Sequence, residues 1–427
     1  MRILMISTLY PPFVQGGAEI SAHNLATWLA AQGHEVAVLT TAPTAADELW
    51  DEMSEGCRIF RVSMPRQYTV FEATTAPGWK KPLWHLQDHF DPRNRTIVDK
   101  VLDEFKPDVV NVQYLQGIGY NALKSIAERD LPTVYTLHDL GLACVKMAMF
   151  IDGKECAGLC TACGMSAKVK MGYLGKVERL GFISPSTANM AKLASLQPIG
   201  DYPQHRVLNA NEYPAPRIVR SESPDLRLLY VGRLHETKGV DIVLKALDMI
   251  ALNQGFRLDI LGSGPDEARW REEYGDRPWL RFHGQVSLQD VADAMISSDA
   301  LLVPSIWLEN SPGVVIQALS LSLPVIGSDK GGIPELVSDG VNGILVEPGN
   351  VAAWHDAIKG LLDTPGRLDA MRINAGAGAI EFDKNTLGHQ ALAVFEAIRA
   401  RPTGATPLQS GPAPSTGPGV RERSAIT

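Results

Sequence analysis

The sequence predicts an α/β fold built from two doubly wound parallel-sheet domains. Short β-branched runs alternate with segments of helical apolar spacing, the pattern of parallel strands covered by helices. The alternation occurs twice, on either side of a stretch punctuated by Pro203, Pro214, Pro216 and Pro224 with few periodic apolar residues. The 427 residues exceed one ordinary domain and suit two.

The elements follow in order. In the first half, Ile3–Ser7, Glu35–Thr40, Arg58–Val62, Val109–Val112, Thr133–Leu137, Gly181–Ser184 and Arg206–Leu208 read as strands. Ala18–Ala31 carries Ile20, Leu25, Trp28 and Leu29 at helical spacing and is closed by Gly33; Asn121–Glu128 and Thr187–Leu196 are helical too. The first domain is placed at 1–208 and a linker at 209–224. A second series occupies 225–385. Its strands are Leu226–Val231, Phe256–Leu261, Leu280–His283, Ala300–Val303, Pro324–Ile326 and Gly343–Val346. Helices fit at Val240–Leu252, Leu288–Ser297 and Val351–Leu361, and a last one lies within 386–401. Residues 402–427 are rich in Pro, Gly, Ser and Thr, hold too few apolar residues for a core, and are expected to be disordered.

Composition narrows the function. Apolar content of 45% and charged content of 21% are those of a soluble globular protein. A net charge of −8 gives no general attraction to nucleic acid. The acidic excess lies in the second half. The nearly neutral first half permits approach to an anionic membrane. No apolar run approaches the roughly 18–20 residues of a membrane span. The Arg2–Ser7 run ends at Tyr10-Pro11-Pro12, too short for a targeting core. The expected location is the cytosol, with peripheral contact to the inner membrane face as an extension.

Several segments carry chemistry. After the strand Ala300–Val303, Ser311 suits a helix N-cap and Pro312 the first helical position, with Gly313–Ser320 continuing the helix. Free N–H groups at such a start form an anion site. Glu309 sits just before it, and Gln317 within it. An anion site beside a carboxylate suits a ligand with both phosphate and hydroxyls, which a nucleotide sugar offers. Leu228–Val231 leads through Gly232 to Arg233 and Lys238, a fork of donors and a point charge at the strand's carboxyl end. Gly16 and Gly17 permit close backbone approach after the first strand. Gly262 and Gly264 end one strand and Val286 follows another; ordinary turn chemistry explains them equally well. His138 ends the Thr133–Leu137 strand.

The run Glu309-x7-Gln317, Leu323-Pro324-Val325-Ile326, Gly331-Gly332-Ile333-Pro334-Glu335 resembles the donor-binding signature of family 4 retaining glycosyltransferases of the GT-B fold. Two positions depart from it: Gln317 stands where the family has a second Glu, and Ser322 where Gly is usual. The resemblance implies two Rossmann-like domains facing across a cleft, with the last helix packing back on the first. It implies a sugar-nucleotide donor of UDP or GDP type, a glycan or lipid-linked glycan acceptor, and hexosyl transfer with retention in cell-surface polysaccharide assembly. Arg233 and Lys238 would hold the diphosphate without metal or other cofactor. Gly16 and Gly17 would close over it, and Gly262, Gly264 and Val286 would wall the base. Glu309, with Asn310, Ser311 and Gly313, would hold the sugar, which His138 would help orient. Gln317 would bind ribose hydroxyls. Transfer would be a front-face reaction with no enzyme nucleophile. A nucleotide-sugar epimerase of the same fold and a catalytically silent sugar-binding scaffold are the rivals.

Cys144, Cys156, Cys160 and Cys163 cluster after His138-Asp139. They read as a tetrahedral zinc site, reduced structural thiols or a disulfide. Lys146–Ile151 and Lys168–Lys176 interleave basic and apolar residues. They suit either a membrane-surface contact or a solvated helix over the first domain.

Overall fold

The computed structural model describes residues 1–404 apart from 74, 152, 251–254, 365 and 379–381. The expected disordered tail therefore lies, from residue 405 onward, outside the described residues. Two sheets organise the chain. The first has eight strands in the order Gln204–Arg206, Leu180–Ser184, Thr133–Thr136, Val109–Val112, Arg2–Ile6, Glu35–Thr41, Cys57–Val62, Leu49–Ser54. All neighbours are parallel except the Leu49–Ser54 edge, which is antiparallel. The second has six parallel strands in the order Leu280–Gly284, Phe256–Leu261, Leu226–Val231, Ala300–Val303, Val325–Ser328, Gly343–Val346.

Both sheets are buried on both faces, as the continuous apolar runs require. Leu4, Ile6, Leu39 and Val112 enter one core of the first sheet, while their neighbours Ile3, Met5, Val38 and Val109 enter the other. The second sheet divides likewise, with Leu228, Tyr230 and Ile260 on one side and Leu229, Leu261 and Leu301 on the other. Helix Lys384–Arg399 returns to the first sheet. Its Ala391, Val394, Phe395 and Ile398 pack with Ile3, Val109 and Ile183, and its Gly388 abuts the Trp28 ring.

The strand order fixes where ligands can enter. In each sheet the order reverses at one point, and crevices open at such points beyond the strands' carboxyl ends. The first reversal lies between Arg2–Ile6 and Val109–Val112, so the Gly16-Gly17 loop and Gln113-Tyr114 flank one crevice. The second lies between Leu226–Val231 and Ala300–Val303, so the Arg233–Lys238 and Pro304–Ser311 loops flank the other.

Differences from expectation have local causes. The strand expected at Arg206–Leu208 forms at Gln204–Arg206. Leu49–Ser54 was not expected, because an exposed edge strand needs no apolar alternation. Helices Lys81–Phe90 and Pro92–Phe105 were missed although Asp91 caps the second through Arg93 N and Pro92 opens it. Ser322 has φ +58, a left-handed conformation that favours Gly.

Candidate active site

A cleft of about 190 Å³ lies between the two sheets, lined by Gly17, His138 and Asp139 from one side and Trp307–Ser311 with Gly313 from the other. Glu309 is its charged centre. It is buried, and its Oε1 accepts from Lys238 Nζ at 2.7 Å and from Ser305 Oγ at 2.6 Å. Burial alone would raise this carboxyl. The Lys238 ammonium outweighs that and holds it below the usual range. Lys238 Nζ also sits 5.0 Å from the Trp307 ring centroid.

The helix start differs by one residue from the sequence expectation. The helix is Gly313–Ser320 with Pro312, not Ser311, at the N-cap. Pro312 keeps extended backbone at ψ 109, so Ser311 lies outside the helix and its hydroxyl caps nothing. Ser311 Oγ and Asn310 Oδ1 are buried without partners beside the open N–H groups of the first turn. Unpartnered buried polar atoms are costly, and a hydroxyl-rich ligand would satisfy them.

Glycines hold this wall by backbone contact. A Cβ on Gly332 would stand 1.6 Å from Asn310 O, and one on Gly331 2.4 Å from Glu309 O. Gly332 N donates to Glu309 O at 2.8 Å. Gly262 and Gly264 do the same for the other loop, where a Cβ would meet Gly232 O at 2.0 Å and Leu234 O at 2.1 Å. These two glycines thus have a packing role that supports the Arg233 loop. Val286 is half-buried against the second-domain core. Arg233 is exposed and makes no hydrogen bond through its guanidinium among the described residues.

Gln317 lies in helix Gly313–Ser320, beyond the Glu309 loop. It is buried and lines a neighbouring cavity of about 860 Å³ with Asn211, Tyr213 and Asp383, where its Nε2 has no partner. Gly16, just before the cleft-lining Gly17, donates its N–H to Glu19 Oε2 at 2.9 Å.

His138 is set by a chain of amides. Asn111 Nδ2 donates to Val134 O at 3.0 Å, Gln113 Nε2 donates to Asn111 Oδ1, and Gln113 Oε1 faces His138 Nε2. Burial pushes the imidazole down to about 4, so it is neutral. With Nε2–H donated to Gln113, Nδ1 remains an acceptor. The Tyr114 ring stacks on His138 at 5.5 Å, and its hydroxyl donates to Asp139, which burial raises above the usual carboxylate range. The sequence reading missed Gln113, Tyr114 and Asp139; only their places at strand ends could have marked them.

On the far side of Tyr114 lies a cavity of about 550 Å³, wholly within the first domain. Tyr68 and Trp84 stack in its wall at 5.8 Å, with Lys81, His85 and Lys146 around them. Side-chain bonds also join the domains across the cleft. Glu335 accepts from Ser186 Oγ and Ala188 N, both at 2.8 Å, and from Arg206 Nε at 2.8 Å; Asn310 Nδ2 donates to Leu137 O at 2.8 Å.

The zinc expectation at Cys144, Cys156, Cys160 and Cys163 finds no support. Among the described residues no group of three or more His, Cys, Asp or Glu side chains is placed to hold a metal. Cys144 and Cys163 are buried with their sulfurs 3.9 Å apart, whereas Cys160 is exposed and Cys156 half-buried. Helix Thr161–Leu174 follows, and its Lys170 is buried and donates to Gly141 O at 2.6 Å. No described helix is long and apolar enough to cross a membrane.

Comparisons with known proteins agree with this geometry. Residues 15–152 match the model "Glycosyltransferase Family 4", and residues 215–377 match "Glycosyl transferases group 1". The chain is 27% identical over 379 residues to a glycogen synthase of Mycobacterium tuberculosis, covering 86% of this chain and 87% of that one. Sucrose-phosphate synthase of Thermosynechococcus elongatus superposes with a TM-score of 0.71 at 20% identity, covering 93% and 99% of the two chains. Anabaena HepE, solved with UDP and glucose, superposes at 0.64 and 18% identity, covering 93% and 100%. With a family 4 glycosyltransferase domain followed by a group 1 glycosyltransferase domain, facing across a cleft, the chain belongs to the GT-B glycosyltransferases.

Proposed function

We propose that the chain transfers a hexosyl group from a nucleoside diphosphate sugar, of UDP or GDP type, to a glycan or lipid-linked glycan acceptor, with retention, in cell-surface polysaccharide assembly. One observation carries the reading. The Lys238–Glu309 pair stands beside an open helix start whose Asn310 Oδ1 and Ser311 Oγ lack partners. A cation and N–H groups suit the diphosphate; a carboxylate and amide oxygen suit sugar hydroxyls. That HepE holds UDP and glucose in the same fold supports a donor of this class.

In the reaction, the bond from the anomeric carbon to the diphosphate oxygen breaks, and the acceptor oxygen bonds to that carbon on the same face. The acceptor's proton passes to the leaving phosphate. Lys238, Arg233 and the helix start stabilise the charge growing on the diphosphate, so no divalent metal is needed. Glu309 and the His138 Nδ1 acceptor hold the sugar in place for attack. The stacked Tyr68 and Trp84 suit a sugar ring of the acceptor.

The test is a screen of nucleotide sugars for protection against thermal unfolding, followed by transfer assays in chelator with the donors that protect. Protection by at least one nucleoside diphosphate sugar and release of its nucleoside diphosphate with a product of the donor's anomeric configuration are expected. Binding without any turnover would overturn transfer and leave a sugar-binding scaffold.

A further inference from the structure

Helix Lys81–Phe90 has two faces with opposite surroundings. Inward, Trp84, Asp88 and His89 are buried, and Lys81, Trp84 and His85 line the 550 Å³ cavity. Outward stand Leu83, Leu86 and Phe90, exposed by 42%, 56% and 53%, with Trp79 just before the helix at 75%. Continued at helical pitch, these four positions fall within an arc of about 60°. Their spacing is that of an amphipathic stripe, yet among the described residues nothing covers it.

The neighbouring helix Thr161–Leu174 widens the patch. His89 Nε2 meets Ser166 Oγ at 2.9 Å, and Tyr173 Oη donates to His89 O at 3.0 Å, which docks the two helices together. Met165, beside Ser166, is 63% exposed, and Lys168, one turn on, is exposed as well. Lys80 lies 5.5 Å from the Trp79 ring centroid. Lys80 and Lys168, the lysines beside the stripe, make no ion pair among the described residues. Carboxylates near the stripe are otherwise engaged: Asp88 is buried against Arg66, and Asp91 pairs with Arg93.

We propose that this face docks on an anionic lipid surface, with helix Lys81–Phe90 lying in the headgroup plane. Trp79, Leu83, Leu86, Phe90 and Met165 would enter the acyl boundary while Lys80 and Lys168 meet lipid phosphates. The charge pattern selects this occupant over a second copy of the chain. A two-fold pairing would bring both sets of unpaired lysines together, whereas an anionic surface neutralises them. The sequence pattern left Lys146–Ile151 and Lys168–Lys176 open between such contact and a solvated helix; the buried Lys170 cannot serve, and of those segments Lys168 joins the stripe. Because the helix's other face lines the first-domain cavity, docking would hold that cavity next to the membrane. The further step, that a lipid-linked acceptor reaches the cavity from there, rests on the transfer reading; docking does not.

The full chain is sedimented with vesicles of phosphatidylglycerol and phosphatidylcholine, and with phosphatidylcholine alone. Binding to the anionic vesicles is expected, weakened by salt, and reduced at least tenfold in Leu86→Glu with Phe90→Glu. Melting temperature and protection by the donor should not change in that variant, which separates lost docking from lost folding and from failure of the transfer reading. Trp79→Phe should remove the emission shift that vesicles cause. Equal binding by wild type and the double variant overturns the proposal, as does absence of binding or equal binding to phosphatidylcholine alone. A concentration-dependent dimer abolished by Leu86→Glu overturns it in favour of a second copy.

Discussion

The two walls of the cleft are built differently. The second-domain wall is made of backbone: the Glu309-Asn310 loop rests on Gly331 and Gly332, and the Gly232–Leu234 loop on Gly262 and Gly264. The first-domain wall is made of side chains that meet from distant segments. Asn111, Gln113 and His138 form one line, and Tyr68, Trp84, Lys81 and Lys146 form another group. Backbone-on-backbone contact demands glycine at particular positions, and a charge-assisted grip demands particular charged residues. Side-chain walls tolerate many residue types. The difference teaches that a site held by loop packing writes motifs into the sequence, and one held by side-chain packing does not.

The largest expected effect probes the grip itself. Lys238→Ala and Glu309→Gln should each cut turnover by roughly 10²–10³, or about 2–4 kcal/mol, because the interactions act on developing charge. Lys238→Ala should also change the pH dependence of stability. In the wild type, Lys238 holds Glu309 low, so the pair stabilises the fold above the unfolded-state pKa, and that contribution is lost as pH falls through the lower folded-state value. Without Lys238, burial raises Glu309, and stability is instead lost as pH rises through the raised folded-state value. The cost at neutral pH should be about 1–3 kcal/mol. Melting curves from pH 3 to 8 would read this reversal; parallel curves for the two proteins would refute it.

Gly332→Ala asks whether the loop contact matters as much as the charges. Its Cβ would overlap Asn310 O, so the loop must move at a cost of about 1–3 kcal/mol. Donor protection should weaken with it, while Gly340→Ala, whose Cβ meets open space but whose φ is +71, should lose some stability and keep donor binding. Isothermal titration with the donor separates the two.

His138 tests the side-chain wall. Its burial-depressed pKa contributes stability present above the unfolded value near 6.5, which is lost as pH falls towards 4. The rate profile should therefore show no His138 limb near pH 6.5. His138→Ala should lower turnover about tenfold, the scale of one hydrogen bond, with the profile's shape kept. A limb near pH 6.5 that disappears in the variant would mean a charged imidazole takes part.

The smallest effect is expected at the cavity. Tyr68→Ala should raise the acceptor KM several-fold, from about 0.5–1.5 kcal/mol of lost stacking, and leave the donor KM unchanged. A rise in the donor KM alone would remove Tyr68 from the acceptor side.

Much of this was written along the chain. The alternating pattern is local, because strand and helix periods repeat within a few residues, and it led to both sheets. The Glu309, Lys238 and glycine-loop positions stood out because phosphate and backbone contacts allow few residue types. The sequence by itself could not say which cavity Gln317 lines, since the packing of helix Gly313–Ser320 against the sheet decides where its side chain points. Nor could it deny the cysteines a common metal site; only folding shows that Cys160 points to solvent while Cys144 and Cys163 are buried. The Trp79–Phe90 stripe falls on a segment to which the sequence reading assigned no helix. Tertiary structure decided that this face looks outward, because the same helix buries Trp84 and Asp88 on its other side and has room for only one core.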